Sequence, residues 1–176
     1  MAVVLNNLAD DFPLPIVIIQ HVDAQFAEAM ATWLDKQCRL TVRTAREADH
    51  LEVGTALVAE TNDHLIMHTA HELGYTSTPA DSSYHPSIDV FFESVARYRK
   101  GRDIGVLLTG MGKDGAKGLR VLRDSGSYTI AQDKESSVVY GMPKQAAALE
   151  AATEILPLVE IAPRLIELCR SKTIKT

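Results

Sequence analysis

The 176 residues include 46% hydrophobic side chains, with 18 Lys plus Arg against 23 Asp plus Glu and a net charge of −5. That is the length of one domain with enough apolar side chain for a packed core. The longest apolar runs, such as Ile16-Val17-Ile18-Ile19, fall far short of the roughly 20 residues of a membrane span. No basic n-region with an apolar h-region lies near Met1, so a cytoplasmic protein without membrane insertion is expected. The charge forms no long single-sign blocks, which argues against nucleic acid, whose phosphates reward basic stripes.

Residues 1–8 read as the end of an amphipathic helix carrying Val4, Leu5 and Leu8, an abnormal opening for a chain of βαβ units. Residues 15–20 form the clearest strand, with no polar alternation before Gln20, as expected of a strand covered on both faces. Residues 24–38 read as a helix with Asp23 as its N-cap and with Phe26, Met30, Trp33 and Leu34 on one apolar stripe. From 40 to 78 the texture changes to short segments at 40–43, 55–60 and 64–69, which predicts a hairpin or small antiparallel extension. Residues 87–100 predict a helix with Ser87 as cap and Gly101 as terminator.

A second buried strand is expected over 104–109, followed by a glycine-rich turn and a helix over about 115–125. A third strand spans 128–132, a short helix 143–150, a fourth strand 153–156, and a closing helix 161–171 has Pro163 early in it. Cys38 and Cys169 lie far apart without C-x-x-C spacing and are expected to be buried, reduced thiols on helices. Short β-branched runs alternating with helical windows predict an α/β fold, a doubly wound, mostly parallel sheet in three layers with a small antiparallel hairpin. The whole, 1–176, reads as one domain.

In such sheets the reactive groups gather beyond the carboxyl ends of the strands. His21 directly follows the first strand, and Asp114 follows the second in Thr109-Gly110-Met111-Gly112-Lys113-Asp114-Gly115. A histidine and an aspartate so placed are two-thirds of a hydrolytic triad, the imidazole moving a proton while the carboxylate orients it. Taken singly, each has a plainer reading: a histidine satisfied by a backbone carbonyl, and a cap on the helix after Gly115.

The same loop spells G-x-G-x-x-G, and Asp133 follows the next strand where a ribose-binding acid would stand, so a dinucleotide-binding enzyme is the distant rival. Against it, Asp114 beside the helix N-terminus would repel a pyrophosphate, and the loop falls past mid-chain. His50, His64, His68, His71 and His85 invite a metal reading. His64 and His68 stand too far apart along a strand to share an ion, however, and no ligand set is completed by spacing. A polar hairpin surface is expected there, with no metal and no cofactor.

Four ordered segments, taken together, resemble the catalytic domain of CheB-type chemotaxis protein-glutamate methylesterases. They are Pro15-Ile16-Val17-Ile18-Ile19-Gln20-His21, Pro86-Ser87-Ile88-Asp89-Val90-Phe91-Phe92-Glu93-Ser94-Val95, the run from Gly105 to Ala116 through Thr109-Gly110-Met111-Gly112-Lys113-Asp114, and Thr129-Ile130-Ala131-Gln132-Asp133 with Ser136-Ser137-Val138-Val139-Tyr140-Gly141-Met142-Pro143. The resemblance implies a carboxylic ester hydrolase that removes γ-methyl groups from glutamates on chemoreceptor helices and in some members deamidates glutamines. His21 matches the family's catalytic histidine, Asp114 its aspartate, and the Met111 amide a donor to the oxyanion. The partners implied are methylated chemoreceptor helices and a receiver domain or histidine-kinase signalling complex; no receiver domain is in these residues.

The family serine sits in a Gly-x-Ser-x-Gly-Gly turn after a central strand that precedes the first helix, and neither strand nor turn is in this sequence. Ser82, Ser83, Ser87, Ser136 and Ser137 each read as a cap or loop hydroxyl. Two further departures are Val22-Asp23, where the family has Met-Pro after the histidine, and Glu60-Thr61-Asn62-Asp63, which follows Ala59 in place of Ala-Pro-Gly. The expectation is therefore a methylesterase domain, N-terminally incomplete, whose serine lies outside these residues and which does not turn over alone. The alternative is a non-catalytic descendant acting as a binding module. Without its central strand the chain should be fragile, self-associating or swapped.

Overall fold

A computed structural model describes residues 1–99, 101 and 103–171. In chain order these form α1 (Ala2–Asn6), β1 (Ile16–Ile18), α2 (Ala24–Asp35), β2 (Thr41–Thr44), β3 (Thr55–Val58), β4 (His64–Met67), β5 (Leu73–Thr76), α3 (Ile88–Arg99), β6 (Ile104–Leu107), α4 (Ala116–Asp124), β7 (Tyr128–Gln132), α5 (Met142–Ala148), β8 (Glu154–Leu156) and α6 (Leu158–Arg170). Two parallel three-stranded sheets, ordered β1-β3-β2 and β6-β7-β8, stand beside an antiparallel pair β4-β5.

The side-chain alternation shows that the two parallel sheets are halves of one layer. Along β3, Ala56 and Val58 pack into one apolar cluster with Leu5, Leu8, Leu34 and Leu165, while Leu57 packs into a second with Phe91, Leu119 and Leu122. Along β7, Ile130 joins the first cluster and Ala131 the second. Successive strand residues point to opposite faces, so both halves share one face covered by α1, α2 and α6 and another covered by α3, α4 and α5. Burial on both faces explains the runs without polar alternation.

Between the halves the layer is interrupted. β1 pairs only with β3 and β6 only with β7 among the described residues, so each presents an unpaired parallel edge. A cavity of about 780 Å³ lies between them, lined by 15–21 along one wall and by Ile104 and 106–112 along the other. Leu5, Leu8 and Phe12 close it on one face, and Phe91, Phe92 and Val95 of α3 on the other. It runs along the two unpaired edges, from Leu14 and Ile104 at one end to His21 and Gly112 at the other.

Several expectations need correction. Residues 41–44 and 55–58 do not belong to a hairpin but run parallel in the main sheet, and among the described strands the antiparallel pair is β4-β5. The stripe on α2 splits: Leu34 is buried with Ala27 and Ala31, but Phe26 and Trp33 are each more than half exposed. The small alanines let the helix sit close to the sheet and turn its bulky ridge outward. That helix ends at Asp35, so Cys38 lies beyond it, and both free thiols are half-buried rather than buried. α6 begins at Leu158, earlier than expected, because Pro157 at its N-cap sets the chain for entry and Pro163 is accommodated inside. The carbonyl that Pro163 leaves unpaired belongs to the exposed Val159, where water can serve it. Lys100, the expected last residue of the 87–100 helix, lies outside the described residues; Gly101 beyond it has φ +79°.

α3 and α4 pack so closely that a Cβ on Gly118 would lie 2.7 Å from both Cα and the carbonyl oxygen of Asp89. Backbone on both sides cannot yield as a flexible side chain would. Gly118→Ala is therefore expected to lower stability by about 1–3 kcal/mol through overpacking, outweighing the gain of about 1 kcal/mol in helix propensity; a urea midpoint at or above wild type would show that the helices can part.

Candidate active site

His21 stands just past β1 at the carboxyl end of one half sheet, and Asp114 stands in the loop after β6 at the same end of the other. Their side chains meet: His21 Nε2 lies 2.7 Å from Asp114 Oδ2. The imidazole is 26% exposed and the carboxylate 2%, so one end of the pair faces the cavity and the other is sealed. The second ring nitrogen, Nδ1, has no hydrogen-bond partner among the described residues.

Burying a carboxylate is costly unless donors fill its lone pairs. Asp114 Oδ2 accepts from His21 and from the Ile88 amide at 2.7 Å, and Oδ1 accepts from the Ser87 hydroxyl at 2.8 Å and the Asp89 amide at 3.1 Å. The amides belong to the first turn of α3, whose positive end favours an anion. Burial alone would raise the Asp114 carboxyl, but the bond from His21, the two amides and the Ser87 hydroxyl outweigh it and hold it below its ordinary value. Asp114 is thus a helix cap after all, but of α3 rather than α4.

The service is returned. Asp89 Oδ1 accepts from the Gly118 amide of α4 at 2.7 Å, so each helix has its first turn capped by a carboxylate from the other's neighbourhood. Burial raises the Asp89 carboxyl, offset in part by the Gly118 amide, with the charge of Asp114 adding to the rise. This counts against the dinucleotide reading, since an α4 first-turn amide that could serve a pyrophosphate is already held by Asp89. Asp133, the supposed ribose acid, accepts from the amide and hydroxyl of Ser136 in a local turn.

Met111 lines the same cavity as His21. Its side chain is 79% exposed, and its amide makes no hydrogen bond among the described residues, leaving a donor available. The loop is pinned from behind by the last residue of β7 and the segment after it. Gln132 Oε1 accepts from the Thr109 amide at 2.8 Å, the Val139 amide donates to Thr109 Oγ1 at 2.9 Å, and Gly110 O receives the amides of Gly141 at 3.1 Å and Met142 at 2.9 Å. Tyr84 completes the wall by stacking on His21 with ring centroids 4.8 Å apart. Its hydroxyl fills the place a Cβ on Gly112 would take, and Gly112 has φ +91°.

Three contributors escape the sequence reading. Tyr84 carries no signal beyond its place before His85-Pro86; Ser87 reads as a cap only; and His64, expected on a polar hairpin surface, is fully buried. His68 and His71 are exposed, and no group of three or more His, Cys, Asp or Glu suited to a metal occurs among the described residues. No helix among them is long and apolar enough to cross a membrane. The departures at Asp23 and Asn62 meet at one point: Asp23 caps α2 through the Gln25 amide at 3.0 Å, while Asn62 Oδ1 accepts the Ala24 amide at 3.1 Å.

The architecture is that of a doubly wound α/β protein with a histidine–carboxylate pair at the carboxyl ends of parallel strands. The chain belongs to the CheB methylesterase family, whose model matches residues 1–165. It is 58% identical over 170 residues to a protein-glutamate methylesterase/protein-glutamine glutaminase of Burkholderia orbicola, covering 97% of this chain and 51% of that protein. It is 54% identical over 171 residues to a like-named protein of Cupriavidus pinatubonensis, covering 97% and 50%. The crystal structure of the Thermotoga maritima CheB methylesterase catalytic domain superposes with a TM-score of 0.90 at 34% identity, over 95% of this chain and 90% of that one. The chain thus spans about half the length of the curated relatives it matches.

A folded-state carboxyl held below its ordinary value contributes stability that is complete above the unfolded value, about 3.9 for Asp, and is lost as pH falls through the folded value. The stability gap between wild type and Asp114→Asn, read from urea midpoints, should accordingly be widest near neutral pH and close in acid; a gap independent of pH would show that charge is not what the four donors stabilise.

Proposed function

We propose that this chain is the catalytic framework of a protein-glutamate methylesterase that hydrolyses γ-methyl esters on chemoreceptor glutamates in the cytoplasm. The observation that carries the reading is the His21–Asp114 bond standing at the carboxyl end of an empty strand position. A parallel strand in the slot between β1 and β6 would satisfy both edges, and its carboxyl end would arrive beside His21. We assign the nucleophilic serine to such a strand, supplied from outside the residues described. Methylated receptor helices are the substrate partner; a receiver domain or histidine-kinase complex would regulate it.

In the reaction the serine oxygen attacks the ester carbonyl while its proton passes to the free nitrogen of His21. The carbonyl oxygen, now negative, is met by the Met111 amide, a donor fixed in place before the charge develops. Asp114 stabilises the imidazolium, which then protonates the methoxy oxygen so that methanol leaves and an acyl-enzyme remains. Water attacks that acyl group, giving its proton to His21, which returns it to the serine oxygen as the glutamate carboxylate is freed. With ammonia in place of methanol the same steps deamidate glutamine, the second activity in the relatives' names.

Supplying the chain with an N-terminal β-branched strand that ends in Gly-x-Ser-x-Gly-Gly should produce methanol release from methylated receptor. In that protein His21→Ala and Asp114→Asn should each lower kcat by about 10³–10⁴-fold. Retention of most activity by either variant would remove that residue from the mechanism.

A further inference from the structure

The esterase mechanism leaves a buried histidine unused. His64, at the start of β4, is fully buried, and two backbone groups fix its ring. The Ser87 amide, which can only donate, lies 3.0 Å from Nδ1, and the Pro79 carbonyl, which can only accept, lies 3.1 Å from Nε2. Nδ1 must therefore be the bare nitrogen and Nε2 must carry the proton. His85 stacks on the outer face of this ring, with centroids 4.7 Å apart.

We propose that His64 is a positioning residue for the His21–Asp114 pair, acting in series through Ser87. The amide of Ser87 is held by His64, its hydroxyl donates to Asp114 Oδ1 at 2.8 Å, and the next two amides, of Ile88 and Asp89, donate to the same carboxylate. Three of the four donors that define the plane of Asp114 thus come from a turn that His64 anchors. The fourth is His21 itself, whose ring direction follows the carboxylate. Among the described residues no backbone carbonyl receives the Ser87 amide, so removing the imidazole leaves a buried donor unpaired, at a cost that displacement of the turn can relieve. The ionisable groups around His21 are Asp114, bonded to it, Tyr84, stacked on it, and Asp23 and His85, which share the shallow cleft on its outer side. None but Asp114 orients the ring by a hydrogen bond.

This inference rests on the esterase reading for its catalytic consequence, but its structural core can be tested without turnover. In the chain supplied with the serine-bearing strand and with ¹⁵N-labelled histidine, the ring N–H of His21 bonded to Asp114 should give a downfield proton resonance, assigned by its absence in His21→Gln. His64→Leu, which keeps the bulk and removes the acceptor, should broaden or shift that resonance. His64→Asn, whose Oδ1 falls near the place of Nδ1, should restore it. In the serine-bearing protein His64→Leu should lower kcat about 10- to 100-fold, the scale of other outer-shell partners, with KM within about twofold, and His64→Asn should recover most of the loss. Should His64→Leu fail to fold, His64→Phe, which keeps a flat ring and removes the acceptor of the Ser87 amide, takes its place and should shift the resonance likewise. An unmoved resonance in His64→Leu, or in His64→Phe where that variant is needed, overturns the proposal whether or not the esterase reading holds. If the resonance behaves as expected and the wild-type serine-bearing protein releases no methanol, the esterase reading fails while the positioning network stands.

Discussion

The carboxylate of Asp114 is the constraint around which this end of the molecule is arranged. An ion at 2% exposure is tolerated only because each of its two oxygens has two donors. Those donors come from separate places: the end of β1, the residue that caps α3, and the first two amides of that helix. His21 rides on one half sheet and Asp114 on the other, so their bond also ties the halves together across the gap between β1 and β6. A carboxylate with less satisfied surroundings would sit protonated or turn to water, and neither state would orient an imidazole.

The same arrangement governs the helices behind it. Asp114 serves α3, and Asp89, on α3, serves the Gly118 amide of α4. Two like charges are thereby brought near each other, and the Asp89 carboxyl is raised chiefly by its burial, with the charge of Asp114 adding to the rise. Close approach of the helix backbones is what makes the exchange possible, and a glycine at 118 is what permits the approach.

Much of this is legible in the amino-acid order. Parallel strands buried on both faces announce themselves as β-branched runs, and groups just past their carboxyl ends are brought together by the twist and order of the sheet. His21 and Asp114 can therefore be placed at strand ends from the sequence, where their pairing is suggested by residue type and by the family resemblance, while the bond itself is seen only in the structure. What is not legible depends on contacts between segments that carry no periodic signal. The burial of His64 is set by the 79–87 segment folding over the hairpin, and alternation within residues 64–69 says nothing of that cover. The outward turn of Phe26 and Trp33 follows from how closely Ala27 and Ala31 let α2 approach the sheet, a depth of packing that an apolar stripe does not encode. Residues 41–44 and 55–58 are too short for their length to separate a parallel pairing from a hairpin.

Three of the four residues 84–87 touch three different partners: Tyr84 lies on His21, His85 on His64, and Ser87 bonds both His64 and Asp114. Side chains in such a stretch can be exchanged one at a time, but its length cannot. A single codon gained or lost there would slip every one of these contacts out of step together, so across evolutionary drift the spacing of this stretch should be guarded more strictly than the identity of any one residue within it.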